Sequence, residues 1–162
     1  MRKVAKPEAD LLRLDQQICF AVYRASRALT RAYAPLLEPL GLTYPQYLVL
    51  LVLWEGDGVS VKNLGERLSL DSATLTPLLK RLEQQAVVVR RRDDEDERVV
   101  RIDLTAKGKA LRGKARNVPR LLACRAGFAE RDLRDLARLR SDLDDLARQI
   151  DESEERDVPP AS

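Results

Sequence analysis

The chain has 162 residues with a formal charge of +3, 44% hydrophobic and 34% charged, a balance that suits one domain with its own core and excludes a disordered or membrane-embedded chain. Charged residues break every apolar run well before the roughly 18 residues a spanning helix needs, and the basic start Met1-Arg2-Lys3 leads into no signal-type stretch, so a cytoplasmic location is expected. There is no histidine and only two cysteines, Cys19 and Cys124, which sets aside imidazole-based catalysis, a zinc site and a permanent disulfide in a reducing compartment; no cofactor is expected.

Residues 1–9 read as a loose arm. A long helix is expected from about Asp10 to Leu37, because Leu11, Leu14, Ile18, Val22, Ala25 and Leu29 recur at three- and four-residue steps as a buried stripe. Pro39 and Gly41 end it. A second helix follows Thr43, with Pro45 in its first turn, and carries Leu48, Leu51, Val52 and Trp54 to Glu55. Gly56-Asp57-Gly58 forms a turn, and a short third helix spans about Val61–Leu68 behind Ser60 as N-cap.

Asp71 caps a fourth helix reaching about Gln85. Leu75, Leu78, Leu79 and Leu82 give it one leucine face, while Ser72, Thr74, Thr76, Lys80 and Arg81 stand opposite. Pro77 removes a helical hydrogen bond, so a slight kink is expected there. Val87–Arg92 and Arg98–Leu104 then read as two short strands around the acidic tip Asp93-Asp94-Glu95-Asp96-Glu97. Thr105 caps a fifth helix to about Cys124, and a sixth covers about Glu130–Ile150. Its Leu133, Leu136, Leu139, Leu143, Leu146 and Ile150 form a seam longer than one small domain covers, so a second subunit is its natural cover. From Asp151 onward five acidic residues stand against one arginine, leaving the rest of the chain at +7. Residues 151–162 are expected to be a disordered acidic tail on a basic body.

The order helix, turn, helix and two-stranded hairpin is that of a winged helix-turn-helix, mainly α with a small β-hairpin wing, in which the second helix enters the major groove. From Ser60 to Arg92 seven basic residues face three acidic ones. The hydroxyls of Ser72, Thr74 and Thr76 suit base edges or phosphates, and Lys80 and Arg81 suit phosphates. The acidic tip argues the other way, unless Asp96 pairs with Arg98 and aims its guanidinium at a narrow minor groove. On periodicity alone, the same helix is also an ordinary amphipathic one.

Asp71-Ser72-Ala73-Thr74-Leu75-Thr76-Pro77-Leu78-Leu79-Lys80-Arg81, then Asp96-Glu97-Arg98 and Leu104-Thr105, closely resemble the MarR family of repressors. Gln17-Ile18-Cys19-Phe20-Ala21-Val22-Tyr23 and Leu36–Tyr47 are similar to its organic-hydroperoxide-sensing (OhrR-type) branch. The likeness covers about residues 11–150, and Ala73 and Ala86 depart from it where relatives carry glycine. It implies one domain over 1–150, with a DNA-binding part at about 44–104 and dimerisation parts at about 10–40 and 105–150. It further implies a homodimer that holds a double-stranded, pseudo-palindromic operator when reduced and releases it when an organic hydroperoxide oxidises Cys19. By the same likeness Tyr33 and Tyr44 hydrogen-bond the sulfur, Tyr23 and Tyr47 being weaker candidates, and Cys124 of the other subunit resolves the oxidised thiol, unless a small thiol caps it. The DNA contacts fall on Ser72, Thr74, Thr76, Pro77, Lys80, Arg81, Asp96 and Arg98. Nothing local activates Cys19, since Asp15 one turn upstream opposes a thiolate. A MarR-type repressor released by a small aromatic acid is the alternative; an enzyme is not expected.

Overall fold

A computed structural model describes residues 12–127 and 133–157. It is mostly helical with one small antiparallel sheet, as expected of the fold class. The chain divides after Leu122 into two compact units.

The first helix begins later than its periodicity suggests. A 3-10 turn covers Leu14–Gln16, Gln17 is extended, and α1 runs Ile18–Leu37. Arg13 and Asp15 pair at 2.8 Å; residues two apart do not face each other on an α-helix, so this pair belongs to the tighter turn. Within the first unit the stripe on α1 stays open: Ile18 is 64% and Leu14 60% exposed, and Leu11 lies outside the described residues.

α2 (Tyr44–Glu55) starts where Thr43 and Gln46 form a reciprocal capping box, with Pro45 in the first turn where no amide donor is needed. A two-residue strand, β1 (Val59–Ser60), follows. It is too short to show any alternation, and the sequence reading missed it. Ser60 then caps α3 (Val61–Leu68) by accepting from the Asn63 amide at 3.2 Å. The turn into α4 (Ser72–Gln84) is tight: a Cβ on Gly65 would meet the Leu70 carbonyl oxygen at 2.8 Å, so the position needs glycine. α4 runs unbroken through Pro77.

At the end of α4 the Ala86 amide donates to the Glu83 carbonyl (2.8 Å) and that of Val87 to Leu82 (3.0 Å), with Ala86 at φ +55°. This is a Schellman ending with alanine in the left-handed position that glycine normally fills. β2 (Val88–Arg92) and β3 (Val100–Leu104) form the wing, and β1 joins β3 on its other edge, giving the order β1-β3-β2. Leu50, Leu64, Leu75, Leu79, Leu82, Val87, Val88 and Ile102 make the core, all at most 2% exposed.

The expected fifth helix is two. α5 (Ala106–Ala115) and α6 (Val118–Arg125) are separated at Arg116-Asn117, because Pro119 has no amide for the Ala115 carbonyl and its ring crowds that group. α7 spans Leu133–Asp157, so the helix continues seven residues into the segment expected to be a disordered tail. Glutamates there are good helix formers, and the Ser153 hydroxyl donates to the Ile150 carbonyl at 2.7 Å. Residues 158–162 lie outside the described residues. Within its unit the seam on α7 stays open: Leu139, Leu143 and Ile150 are 44–51% exposed, and the Leu133 side chain is outside the description.

Candidate nucleic-acid interface and thiol site

Asp71 fixes the start of α4: its carboxylate accepts from the Thr74 amide at 2.7 Å, satisfying an end donor and complementing the helix dipole. Leu75, Leu79 and Leu82 anchor the inner face at 0–1% exposure. The outer face therefore presents Ser72, Thr74, Thr76, Pro77, Lys80 and Arg81, all exposed. The structure brings these six expected contact residues together on one surface.

The wing tip answers the objection raised by its acidic sequence. Asp93 accepts from the amides of Glu95 (3.0 Å) and Asp96 (3.2 Å) and pairs with Arg101. The Arg101 guanidinium, followed by these amides, holds the Asp93 carboxyl down at about 2. Asp96 is engaged too, but differently from expectation. It accepts from the backbone amide of Arg98 at 3.0 Å, so it shapes the loop and leaves the guanidinium free to point outward. Arg91 bridges Asp94 (3.0 Å) and Asp103 (3.4 Å). All four of these aspartates, Asp93, Asp94, Asp96 and Asp103, are thus tied to arginines and amides of the wing, while Arg92 and Arg98 are exposed.

Several contacts that place the wing had no signal in the sequence reading. Arg90 reaches from β2 to Glu83 of α4 (3.3 Å) and to the Thr76 carbonyl (3.4 Å), tying wing to recognition helix. Asp57, read only as a turn residue, accepts from the Leu104 amide (2.7 Å) and pairs with Lys109 at 3.2 Å, clamping the end of β3 to α5.

The tyrosines come together. Tyr33 and Tyr44 stack with ring centroids 4.4 Å apart, and Tyr47 lies 5.8 Å from Tyr33. Burial, followed by the neighbouring phenols, pushes Tyr33 up to about 12, and burial raises Tyr44 and Tyr47 as well. All three remain protonated donors at neutral pH. Cys19 is exposed on the first turn of α1, and Tyr33 is fourteen residues further along the same unbroken helix. At 1.5 Å per residue that is about 21 Å, so the hydrogen bond from Tyr33 to Cys19 that the resemblance implies is out of reach along one α1. Tyr23 is nearer, one turn away, and its oxygen accepts from the Arg27 guanidinium at 3.0 Å. Cys124 is exposed in the last turn of α6, in the second unit.

Comparison with known proteins agrees. Residues 31–114 match the model of the transcriptional regulator SarA/Rot family. The organic hydroperoxide resistance transcriptional regulator of Bacillus subtilis (strain 168) is 48% identical, over 83% of this chain and 89% of that one. The HTH-type transcriptional regulator TtmR of Methylorubrum extorquens (strain PA1) is 54% identical, over 86% and 68%. Among solved structures, AbfR of Staphylococcus epidermidis superposes in three states. Reduced and bound to DNA it is 34% identical with a TM-score of 0.71 over 85% and 94% of the chains. Overoxidised and bound to DNA it gives 35% and 0.69 over 85% and 95%, and disulfide-formed it gives 36% and 0.57 over 83% and 93%. Fold, exposed recognition face and relatives define a DNA-binding winged helix-turn-helix transcriptional regulator. Within that class the chain belongs to the MarR family, in its organic-hydroperoxide-sensing branch.

Proposed function

We propose that this regulator is a cytoplasmic homodimeric repressor that holds a pseudo-palindromic operator while Cys19 is reduced and releases it once an organic hydroperoxide has oxidised that sulfur. One observation carries the reading. Cys19 sits exposed on an apolar helix face that its own unit leaves bare, about 21 Å along the helix from the protonated Tyr33–Tyr44 pair. A second copy would bring such donors to the sulfur, which supports a sensing site shared between subunits. Hydrogen bonds from neutral phenols favour the thiolate over the thiol.

The chemistry takes two steps. The Cys19 thiolate attacks the outer oxygen of the hydroperoxide, the O–O bond breaks, and the alkoxide leaves and takes up a proton as an alcohol. The product is Cys19 sulfenic acid. The Cys124 thiolate of the partner subunit then attacks that sulfur, forming the S–S bond and expelling hydroxide, which leaves as water. The DNA-bound state of overoxidised AbfR beside its disulfide-formed state favours the disulfide, rather than oxygen on the sulfur, as the releasing event here. A covalent link between subunits shifts the spacing of the two α4 helices, roughly 34 Å in a dimer bound across one DNA turn. About 5 kcal/mol of preference moves such an equilibrium almost fully.

The test is a gel shift on the chain's own promoter with cumene hydroperoxide, alongside non-reducing electrophoresis. Wild type is expected to release DNA as a disulfide-linked dimer, Cys124→Ser to give no linked dimer, and Cys19→Ser to bind and ignore the peroxide. Normal peroxide release by Cys19→Ser would remove the sensor from this position. Arg98→Ala is expected to weaken operator binding without loss of dimer.

A further inference from the structure

The wing meets α4 through a charged joint. Alternation along β2 puts Val88, Arg90 and Arg92 on one face of the strand. Val88 is buried in the core with Leu79 and Leu82 of α4, so this face is turned toward the helix, and Arg90 stands just beyond the apolar packing. Its guanidinium lies 3.3 Å from the Glu83 carboxylate and donates to the Thr76 carbonyl at 3.4 Å. Thr76 and Glu83 are two turns apart on one side of α4, so a single wing side chain grips the helix at two places. Further out on the same strand face, Arg92 donates to the Glu97 carbonyl at 3.5 Å, beside the exposed Arg98. Neighbouring groups thus connect α4 through Arg90 and β2 to the arginine at the tip.

Stability does not account for this joint. The side chains of Arg90 and Glu83 are 32% and 41% exposed, and ion pairs so placed contribute little. The buried Nε of Arg90 donates no hydrogen bond, although the carboxylate is within ion-pair distance, and an unused buried donor counts against a fold. Glu83 is also the only acidic residue of α4. It lies one turn from Lys80, which is exposed and without an ion pair among the described residues. Engaged by Arg90, Glu83 leaves Lys80 to the recognition face.

Resting on the reading of α4 and Arg98 as DNA contacts, we propose that Arg90 is a positioning residue for operator binding: held by Glu83 and Thr76, it fixes where Arg98 stands relative to the recognition face, so that helix and wing engage one duplex together. Arg90 acts through Arg98 rather than on the DNA. With the two contacts preset, the second forms at the effective concentration that the joint imposes. With the joint loosened, much of the Arg98 contribution is lost to ordering the wing.

The test titrates the reduced, full-length protein with its own promoter fragment at fixed salt, following fluorescence anisotropy of the DNA. Wild type and Glu83→Gln are each compared with and without Arg98→Ala. Glu83→Gln removes a negative charge from the recognition helix, which by charge alone tightens DNA binding. Loss of the joint gives the opposite sign, about fivefold weaker binding, with the thermal midpoint unchanged. Arg98→Ala should weaken wild type about tenfold and Glu83→Gln by no more than about twofold. Arg90→Gln should behave as Glu83→Gln does, and Arg90→Lys, which keeps the ion pair, should recover most of the Arg98 effect. Tighter binding by Glu83→Gln overturns the proposal, and so does an Arg98→Ala penalty of equal size in both backgrounds. Both outcomes are read without Arg90→Gln, should that variant fail to fold. An Arg98→Ala change that leaves wild-type affinity untouched would remove the wing contact itself, and the positioning role with it; an equal penalty in both backgrounds removes the positioning role alone.

Discussion

The DNA-reading module and the long helices outside it solve the same problem of apolar surface in opposite ways. From α2 to α5 the chain covers its own leucines: Leu50, Leu64, Leu75, Leu79 and Leu82 are at most 1% exposed. α1 and α7 carry stripes just as regular, yet Ile18, Val22, Leu139 and Leu143 stay 38–64% exposed. A contiguous apolar stripe left open in this way marks a partner surface. The module thus holds its shape with its own residues, whereas the stripes on the long helices stay open within their own units.

The largest effects should come from inside the module. A Cβ at Gly108 would meet the Val87 carbonyl oxygen at 2.2 Å and Leu104 at 3.0 Å. Because the first of these is backbone, Gly108→Ala is expected to lower unfolding stability by about 3 kcal/mol, and Leu79→Ala by roughly 2–5 kcal/mol. Far-ultraviolet denaturation curves at several protein concentrations would measure both. If the module is self-sufficient, the penalties are the same at every concentration; a penalty that grows on dilution would break the comparison.

On the bare helices the sign of the experiment reverses. Ile18→Arg and Leu143→Arg are expected to leave the helical signal of the module intact. Each should raise dimer dissociation by about thirtyfold, the equivalent of losing one buried aliphatic side chain at about 2 kcal/mol. Sedimentation velocity would read this directly. Unchanged dimers would mean that the subunits meet elsewhere.

How much of this could be read from the sequence follows the same division. α2, α3 and α4 were legible with their caps, because Thr43, Ser60 and Asp71 act within three residues of themselves. The recognition face was legible for the same reason. Contacts between distant segments were not: β1 is two residues long, and the Asp57–Leu104 bond spans 47 positions. The break before α6 was written in Pro119 but masked by the apolar period continuing across it. On α1 the period was right and its cover was not, since a stripe looks alike whether its own chain or another copy buries it. The expected thiol site rests on resemblance alone. Its parts lie far apart on one helix, and no spacing rule within one chain joins Cys19 to Tyr33.

One defect inside the module gives a smaller effect. Ala86 holds a left-handed φ of +55° at the end of α4, strain that a glycine would not feel. Ala86→Gly is expected to raise stability by about 0.5–1 kcal/mol, read from the same denaturation curves. No gain would mean that the surrounding Schellman bonds already absorb the strain.

The smallest effect tests whether self-sufficiency reaches the charged tip of the wing. Asp93 sits at about 2, below its ordinary value of 3.8, because of Arg101 first and the loop amides after it. A lowered carboxylate stabilises the folded loop above its unfolded value and loses that contribution as pH falls through its folded one. The loop should therefore keep its order down to about pH 4 and loosen between there and pH 2, with the Asp93 carboxyl titrating near 2 by NMR. Arg101→Gln removes the leading cause and should return the carboxyl most of the way to 3.8, leaving the amides of Glu95 and Asp96 to hold the remainder. An Asp93 that titrates normally in the wild type would mean that the tip carboxylates are not consumed within the wing. They would then face the phosphates beside Arg92 and Arg98, and the wing would repel the DNA it is built to reach.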